Sequence, residues 1–249
     1  MVEEVFAKGD SVIHRLDPRI RIIYSLIFSI LVAVATGFET GLFGLLLASI
    51  IIVLARLSLA KVLQRALIVN AFILFLWFVI PFSYPGRAIL TIGPFSASEE
   101  GIGYTLLLTV KGNSIILAGI GLLSTIPIFQ FTHALDHLKL NHKLIYLFFL
   151  IYRYAHIMQL EYSRIRNGLK VRGFKPTTSF FTYKTYGYII GTLLVRSYER
   201  AHRISQAMRL RGFDGHFWVL DHFKMKKVDK IEIIVLSSSL VLLCLTVIL

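Results

Sequence analysis

The sequence predicts an all-α integral membrane protein with about five transmembrane helices and two long cytoplasmic helices. Hydrophobic residues make up 56% of the 249 residues and the mean hydropathy is +0.71, values typical of the membrane class. Basic residues concentrate in one stretch, since residues 139–230 hold 18 of the 27 Lys and Arg against only five acids. We therefore expect a membrane-embedded body that carries a basic pair of helices in water.

Residues 1–21 form a separate N-terminal segment. They contain four acids and no uninterrupted apolar run, so they do not resemble a cleaved signal peptide. Residues 14–21 are a basic cluster with Pro18 at a position where a helix can begin. This cluster is either an anchor that flanks the first span or a specific contact.

Five apolar runs follow, and each is predicted to cross the bilayer, which takes roughly 17 to 25 residues. In chain order the runs are residues 22–34, 42–54, 66–82 and 104–128, all within residues 22–138, and then residues 231–249. The first two runs are short, so we expect them to extend into their flanks and to meet at a tight turn. We expect Pro81 and Pro85 to break the third run before an exterior loop at residues 83–103. Residues 56–66 predict a short helix at the inner interface.

Lys111 and Asn113 interrupt the fourth run with polar side chains. An intramembrane charge is a candidate for a functional site. The simpler interpretation, which we favour, is that the fourth span begins at Ile115 and leaves Lys111 near an interface.

The basic residues outside the apolar runs fall mainly on one side of the membrane, which the positive-inside rule assigns to the cytoplasm. We expect a multi-pass protein of the cytoplasmic (inner) membrane, with its N-terminus and residues 139–230 in the cytoplasm. The net charge of +13 reflects this distribution and not a nucleic-acid partner. Cys244, the single cysteine, lies in the last apolar run, so a disulfide framework is excluded.

Two helical runs within residues 139–230 end in copies of one pattern. The first run, residues 143–174, is stopped by Lys175-Pro176, because proline disfavours helix in the residue before it. The second runs from about Tyr183 to Arg211. The first tip comprises Val171, Arg172, Gly173 and Phe174, and the second tip, 39 residues later, comprises Leu210, Arg211, Gly212 and Phe213.

The two tips have two compatible explanations. Glycine just after a helix takes the left-handed cap conformation, and arginine in the last turn gains roughly 0.3 to 1 kcal/mol from the helix dipole. Two such ends on consecutive helices also favour docking, because the planar arginine fork binds carboxylates or carbonyls in a partner's groove. Met208, just before the second tip, is predicted to take part in this docking as well, and Arg153, Arg196, Glu199 and Arg200 are predicted to support it along the two helices. Gly187 and Gly191 predict close packing at the start of the second helix.

Other sites are less well supported by the sequence. His133 and His137 lie one helical turn apart near Asp136 and could ligate a metal together, but no further ligand completes a set. We predict no metal, no cofactor and no catalytic residue. No Gly-rich phosphate loop occurs, so ATP would have to be bound by a partner.

Several segments together resemble the transmembrane T component of energy-coupling factor transporters, most closely its CbiQ branch, which serves cobalt and nickel uptake. They are residues 14–19 (His-Arg-Leu-Asp-Pro-Arg), 152–154 (Tyr-Arg-Tyr), 194–201 and 207–215. The family's Ala-Arg-Gly signature is Val171-Arg172-Gly173 and Leu210-Arg211-Gly212 here, so the arginine and the glycine are kept in both copies.

The resemblance implies an L-shaped, non-catalytic scaffold that binds two CbiO-like ABC ATPase subunits through Arg172 and Arg211. It also implies a separate substrate-binding membrane subunit, CbiM-like with a small CbiN-like companion, for uptake of cobalt or nickel that serves cobalamin biosynthesis. Closure of the ATPase pair would push the two helices that carry the tips, and these helices would pass the motion to the substrate-binding subunit. The alternative within the family is the shared T component of a vitamin transporter, because a T subunit need not contact the cargo.

Two rivals come from other classes. A membrane enzyme acting on a phosphorylated lipid would use the arginines as phosphate clamps, but it would need closely spaced carboxylates for magnesium or for acid–base chemistry. The five acids of residues 139–230 are scattered. A self-contained secondary transporter is disfavoured because the sequence has no evident inverted repeat and no buried charged pair.

Overall fold

The computed structural model is predominantly helical and describes residues 6–7, 9–92, 95–138, 141–213 and 227–248. Its elements in chain order are α1 (Val12–Arg15), α2 (Pro18–Val34), α3 (Phe38–Leu54), α4 (Leu59–Ser83), β1 (Ala88–Ile92), β2 (Phe95–Ser98), α5 (Glu99–Leu122), α6 (Ile128–His137), α7 (His142–Val171), α8 (Phe180–Leu210) and α9 (Lys227–Ile248). The chain divides into two compact units, one of residues 1–3 and 139–222 and the other of residues 4–138 and 223–249.

Small residues bring α3 and α5 together in the larger unit. Gly44 and Ala48 lie one turn apart on α3, Ser114 and Ala118 lie one turn apart on α5, and all four are buried. A Cβ atom added at Gly44 would stand 3.0 Å from Ser114 Oγ. Small residues at this spacing allow membrane helices to approach closely, so packing and not bulk apolarity specifies this pair.

Polar side chains in the middle of α5 find partners on neighbouring helices. Asn113 and Asn70 exchange side-chain hydrogen bonds of 3.0 and 2.8 Å, and Lys111 Nζ donates to the carbonyl of Ala33 at 3.1 Å. Because these partners satisfy the polar groups, α5 continues through them as one helix. The prediction that the fourth span begins at Ile115 is wrong.

Two further predictions for this unit need correction. The short helix predicted within residues 56–66 is the first part of α4, which continues without a break after the chain turns at Arg56 with a φ of 51°. The predicted break by Pro81 and Pro85 is confirmed, since α4 ends at Ser83, between the two prolines. The loop predicted at residues 83–103 contains an antiparallel hairpin of β1 and β2, and α5 begins within the same range.

Among the described residues, α4 and α5 are long and apolar enough to cross a membrane. α3 and the segment Leu236–Thr246 of α9 are apolar but shorter. α2 has 17 residues and carries Arg19 and Arg21 in its first turn. The count of five spans therefore stays a prediction.

The N-terminal basic cluster, residues 14–21, makes specific internal contacts. Arg21 is fully buried and donates to Thr125 Oγ1, just before α6, at 3.2 Å. Asp17 caps α2 by accepting from the backbone amide of Arg19 at 2.9 Å. At least this arginine therefore fixes α2 to the segment that follows α5.

Candidate functional site

α7 and α8 form an antiparallel pair that carries both tips. At one end the ring of Phe174 contacts those of Phe181 and Tyr186, with centroids 6.2 and 6.3 Å apart. At the other end the rings of Tyr146 and Phe213 lie 5.7 Å apart. The end of each helix is thus fastened to the start of the other.

The predicted bounds of these helices were nearly correct. α7 begins at His142 and stops at Val171, and α8 begins at Phe180, where Ser179 Oγ accepts from the amide of Thr182 at 3.3 Å. The second helix therefore starts three residues before the predicted Tyr183, because this serine cap provides an N-terminus.

Each tip has the complete hydrogen-bond pattern of a Schellman cap. In the first tip the amide of Phe174 donates to Leu169 O and that of Gly173 to Lys170 O, both at 3.0 Å. In the second tip Phe213 donates to Met208 O and Gly212 to Arg209 O, again both at 3.0 Å. These bonds satisfy carbonyls that a helix end would otherwise leave without partners.

Left-handed glycines close both caps. Gly173 has a φ of 80° and Gly212 a φ of 78°, a region that residues with a Cβ rarely adopt. A Cβ atom at either position would meet no other atom within 4 Å. Glycine is required at the tips by backbone conformation alone, which confirms the capping interpretation.

The side chains at each tip point in two directions. Val171 and Leu210 are each 89% exposed, and Arg172 and Arg211 are exposed as well. No ion pair joins either arginine to an acid within the described part of the chain. Phe174 and Phe213, which were predicted to take part in the ATPase-coupling tips, pack against the opposite helix. Each tip therefore offers an aliphatic residue and an arginine to the outside.

The two tips lie at opposite ends of the helix pair. α8 has 31 residues, which at 1.5 Å per residue makes it roughly 46 Å long. The tips are therefore separated by about one helix length. Two separate sites on a partner, or one site on each of two partners, match this spacing.

The predicted supporting residues behave differently from one another. Arg196 pairs across the helices with Glu161, a buried acid of α7. Glu199 pairs within α8 with Arg203 at 4.0 Å, and Arg153 lies over the ring of its neighbour Tyr154. Only Arg196 joins the two helices among these pairs.

Three other predictions concern α8. Met208 is half-buried, and its carbonyl accepts from Arg211 and Phe213 in the second cap. Arg200 Nε is shielded from solvent and makes no hydrogen bond to the described residues. Gly187 and Gly191 are exposed, and an added Cβ would meet nothing within 4 Å, so the predicted close packing there is absent from the described part of the chain.

Sequence reasoning missed Glu161 as a member of this site. It is the sole acid of α7, among basic residues on both sides. A lone carboxylate in a basic helix signals a pairing partner, but its partner is 35 residues away. His133 and His137 have ring centroids 4.8 Å apart on α6, and no group of three potential metal ligands occurs among the residues that the structure describes.

Known proteins are similar to this sequence over most of its length. The CbiQ family, described as cobalt transport protein, matches residues 9–219. The energy-coupling factor transporter transmembrane protein EcfT of Thermosediminibacter oceani is 26% identical over 227 residues, which cover 84% of this chain and 83% of that protein. The EcfT of Bacillus subtilis is also 26% identical, over 86% of this chain and 85% of its own.

Both tips lie inside the matched range, and so do α2 to α8. A match over residues 9–219 of 249 covers well over half of the chain. The chain therefore belongs to the CbiQ family of transmembrane components of energy-coupling factor transporters.

Proposed function

We propose that this chain is the coupling subunit of an energy-coupling factor importer, and that its two tips each dock one ABC ATPase subunit. The observation that carries the proposal is the pair of identically capped, exposed arginine ends at opposite ends of one antiparallel helix pair. A single ATPase would need only one such end. Two equivalent ends roughly 40 Å apart, somewhat less than one α8 length, suit two copies of the same partner.

The chemistry of the tips supports docking into a groove. An arginine fork binds carboxylates or backbone carbonyls in a fixed geometry, and desolvation in a groove strengthens these bonds. The cap holds the backbone of each arginine rigid, so less conformational entropy is lost on binding. The adjacent Val171 and Leu210 add apolar contact. They are larger than the alanine of the family signature, so the grooves on the partner should be wider at this point.

The membrane topology of this proposal follows charge and hydropathy. α2, α3, α4, α5 and α9 would be the five spans, and α7 and α8 would lie in the cytoplasm together with the N-terminus. The chain itself would hydrolyse nothing. ATP would be bound and hydrolysed by the two ATPase subunits, and their closure would move α7 and α8 against a separate substrate-binding membrane subunit.

The cargo we propose is cobalt or nickel, with CbiM-like and CbiN-like partners. The family description, cobalt transport protein, and the CbiQ-like N-terminal segment support this assignment. The names of the similar EcfT proteins state no cargo, so the alternative is a T component shared among vitamin transporters.

The test is copurification of the tagged chain from mild-detergent extracts of its own host, followed by an ATPase assay. We expect two ATPase subunits per chain together with a small membrane protein. Uptake of radiolabelled Co²⁺ or Ni²⁺ by cells expressing the copurified set supports metal, whereas uptake of a vitamin without metal supports the alternative. If no ATPase copurifies, the coupling function is wrong.

A further inference from the structure

An ion pair between a buried carboxylate on α7 and an arginine at the surface of α8 fastens the two helices near their middle. Glu161 on α7 is only 8% exposed, and one of its carboxylate oxygens accepts from Arg196 Nη1 on α8. The other oxygen lies 3.8 Å from Nη1 of Arg164, one turn further along α7. One carboxylate is thus held by an arginine from each helix.

This pair lies between the two tips on both helices. Arg172 follows Glu161 by 11 residues and Arg211 follows Arg196 by 15, which correspond to roughly 16 and 22 Å of helix. Because the helices are antiparallel, the two tips extend from this point in opposite directions. A change of the crossing angle at Glu161 would displace both tips at once.

We propose that Glu161 is the positioning residue that fixes this crossing and thereby the spacing of the two tips. The inference rests on the proposed function, since it assigns Glu161 a role in how the tips act together. The ring contacts at the two ends are apolar and tolerate sliding, whereas a buried carboxylate demands its partners in a defined geometry. The pair therefore makes the two helices respond as one rigid body when either tip is pushed.

The first arm of the test measures tip spacing in the chain alone. Spin labels at Val171 and Leu210, both 89% exposed, report the distance by double electron–electron resonance in a Cys244→Ser background. All variants carry Arg164→Gln, so that a lysine introduced at position 161 faces no arginine one turn away. We expect a narrow distance distribution in this parent, a broader or shifted one in Glu161→Lys, and recovery of the narrow one in Glu161→Lys with Arg196→Glu.

The second arm uses the unlabelled chain with its copurified ATPase. In Glu161→Lys both ATPase subunits should still bind, because each tip is intact, but the ATPase rate of the complex should fall about tenfold, within the usual range of coupling between sites. The charge swap should restore the rate to within about threefold of the parent. Gln159→Lys, an exposed change on the same helix, is the control and should alter neither measurement.

Each outcome decides the proposal. Unchanged spacing and rate in Glu161→Lys, or a swap that restores neither, would overturn it. If Glu161→Lys does not give a monodisperse protein, the near-isosteric Glu161→Gln is judged by the same criteria. The distance arm needs no partner, so failure of the wild-type chain to bring down an ATPase would reject the proposed function while the role of Glu161 in tip spacing is still decided.

Discussion

Charge reversal at both tips, Arg172→Glu with Arg211→Glu, is expected to abolish copurification of the ATPase. Each reversal places a glutamate carboxylate where the arginine would meet the partner's groove. The attractive contact then becomes a repulsion between like charges, or the new carboxylate lacks a partner. Losing a buried charged contact costs about 2 to 5 kcal/mol. Two such losses lower the affinity by more than about a hundredfold. The measurement is the amount of ATPase recovered per tagged chain, with membrane insertion checked by size-exclusion profile.

A matched control separates docking from general electrostatic attraction. Arg166→Glu with Arg203→Glu makes the same change in net charge on the same two helices, about two turns before each tip arginine. Arg166 is exposed and contacts Tyr162 of its own helix, and Arg203 pairs with Glu199 of its own helix. The control should retain most of the ATPase. Equal loss in both double variants would mean that overall charge, and not the tips, attracts the partner.

Valine at both capping glycines, Gly173→Val with Gly212→Val, should give the second largest effect. A β-branched residue in the left-handed region costs about 1 to 3 kcal/mol per site. The strain is not complicated by clashes, because a Cβ at either position has nothing within 4 Å. We expect the caps to open, the tip arginines to lose their fixed position, and ATPase recovery to fall by at least about tenfold.

The corresponding asparagine variants test whether conformation is the cause. Asparagine tolerates the left-handed region better than other residues with a Cβ, so Gly173→Asn with Gly212→Asn should retain substantially more ATPase than the valine pair. If the asparagine and valine variants behave alike, the glycines matter for contact with the partner and the cap is not the reason they are needed.

The tips could be predicted from sequence because their structure is local. All four cap hydrogen bonds join residues that are three or five positions apart, so the Arg-Gly-Phe pattern contains the information needed. The packing of Phe174 and Phe213 on the opposite helix could not be predicted, since it depends on how α7 and α8 pair.

Long-range contacts explain the errors. The continuity of α5 depends on Asn70, which is 43 residues from its partner Asn113, so the polar stretch looked like the end of a helix. Arg21 looked like part of a surface cluster, but its partner Thr125 lies 104 residues along the chain. Gly187 and Gly191 were predicted to form a packing surface because small residues are typical of helix–helix interfaces. Such an interface also needs a neighbouring element, which the local sequence does not reveal.

The most direct test of the central claim is photo-crosslinking from the tips. A photoreactive amino acid is placed at Val171 or Leu210, each 89% exposed, and in a control protein at Tyr198, which is 74% exposed in the middle of α8. After illumination of native membranes, an ATPase subunit should be captured from both tip positions and not from Tyr198, and the captured peptides should lie in one groove of that subunit. Capture from Tyr198 alone, or no ATPase from either tip, would contradict the claim that the tips are where this chain meets its ATPases.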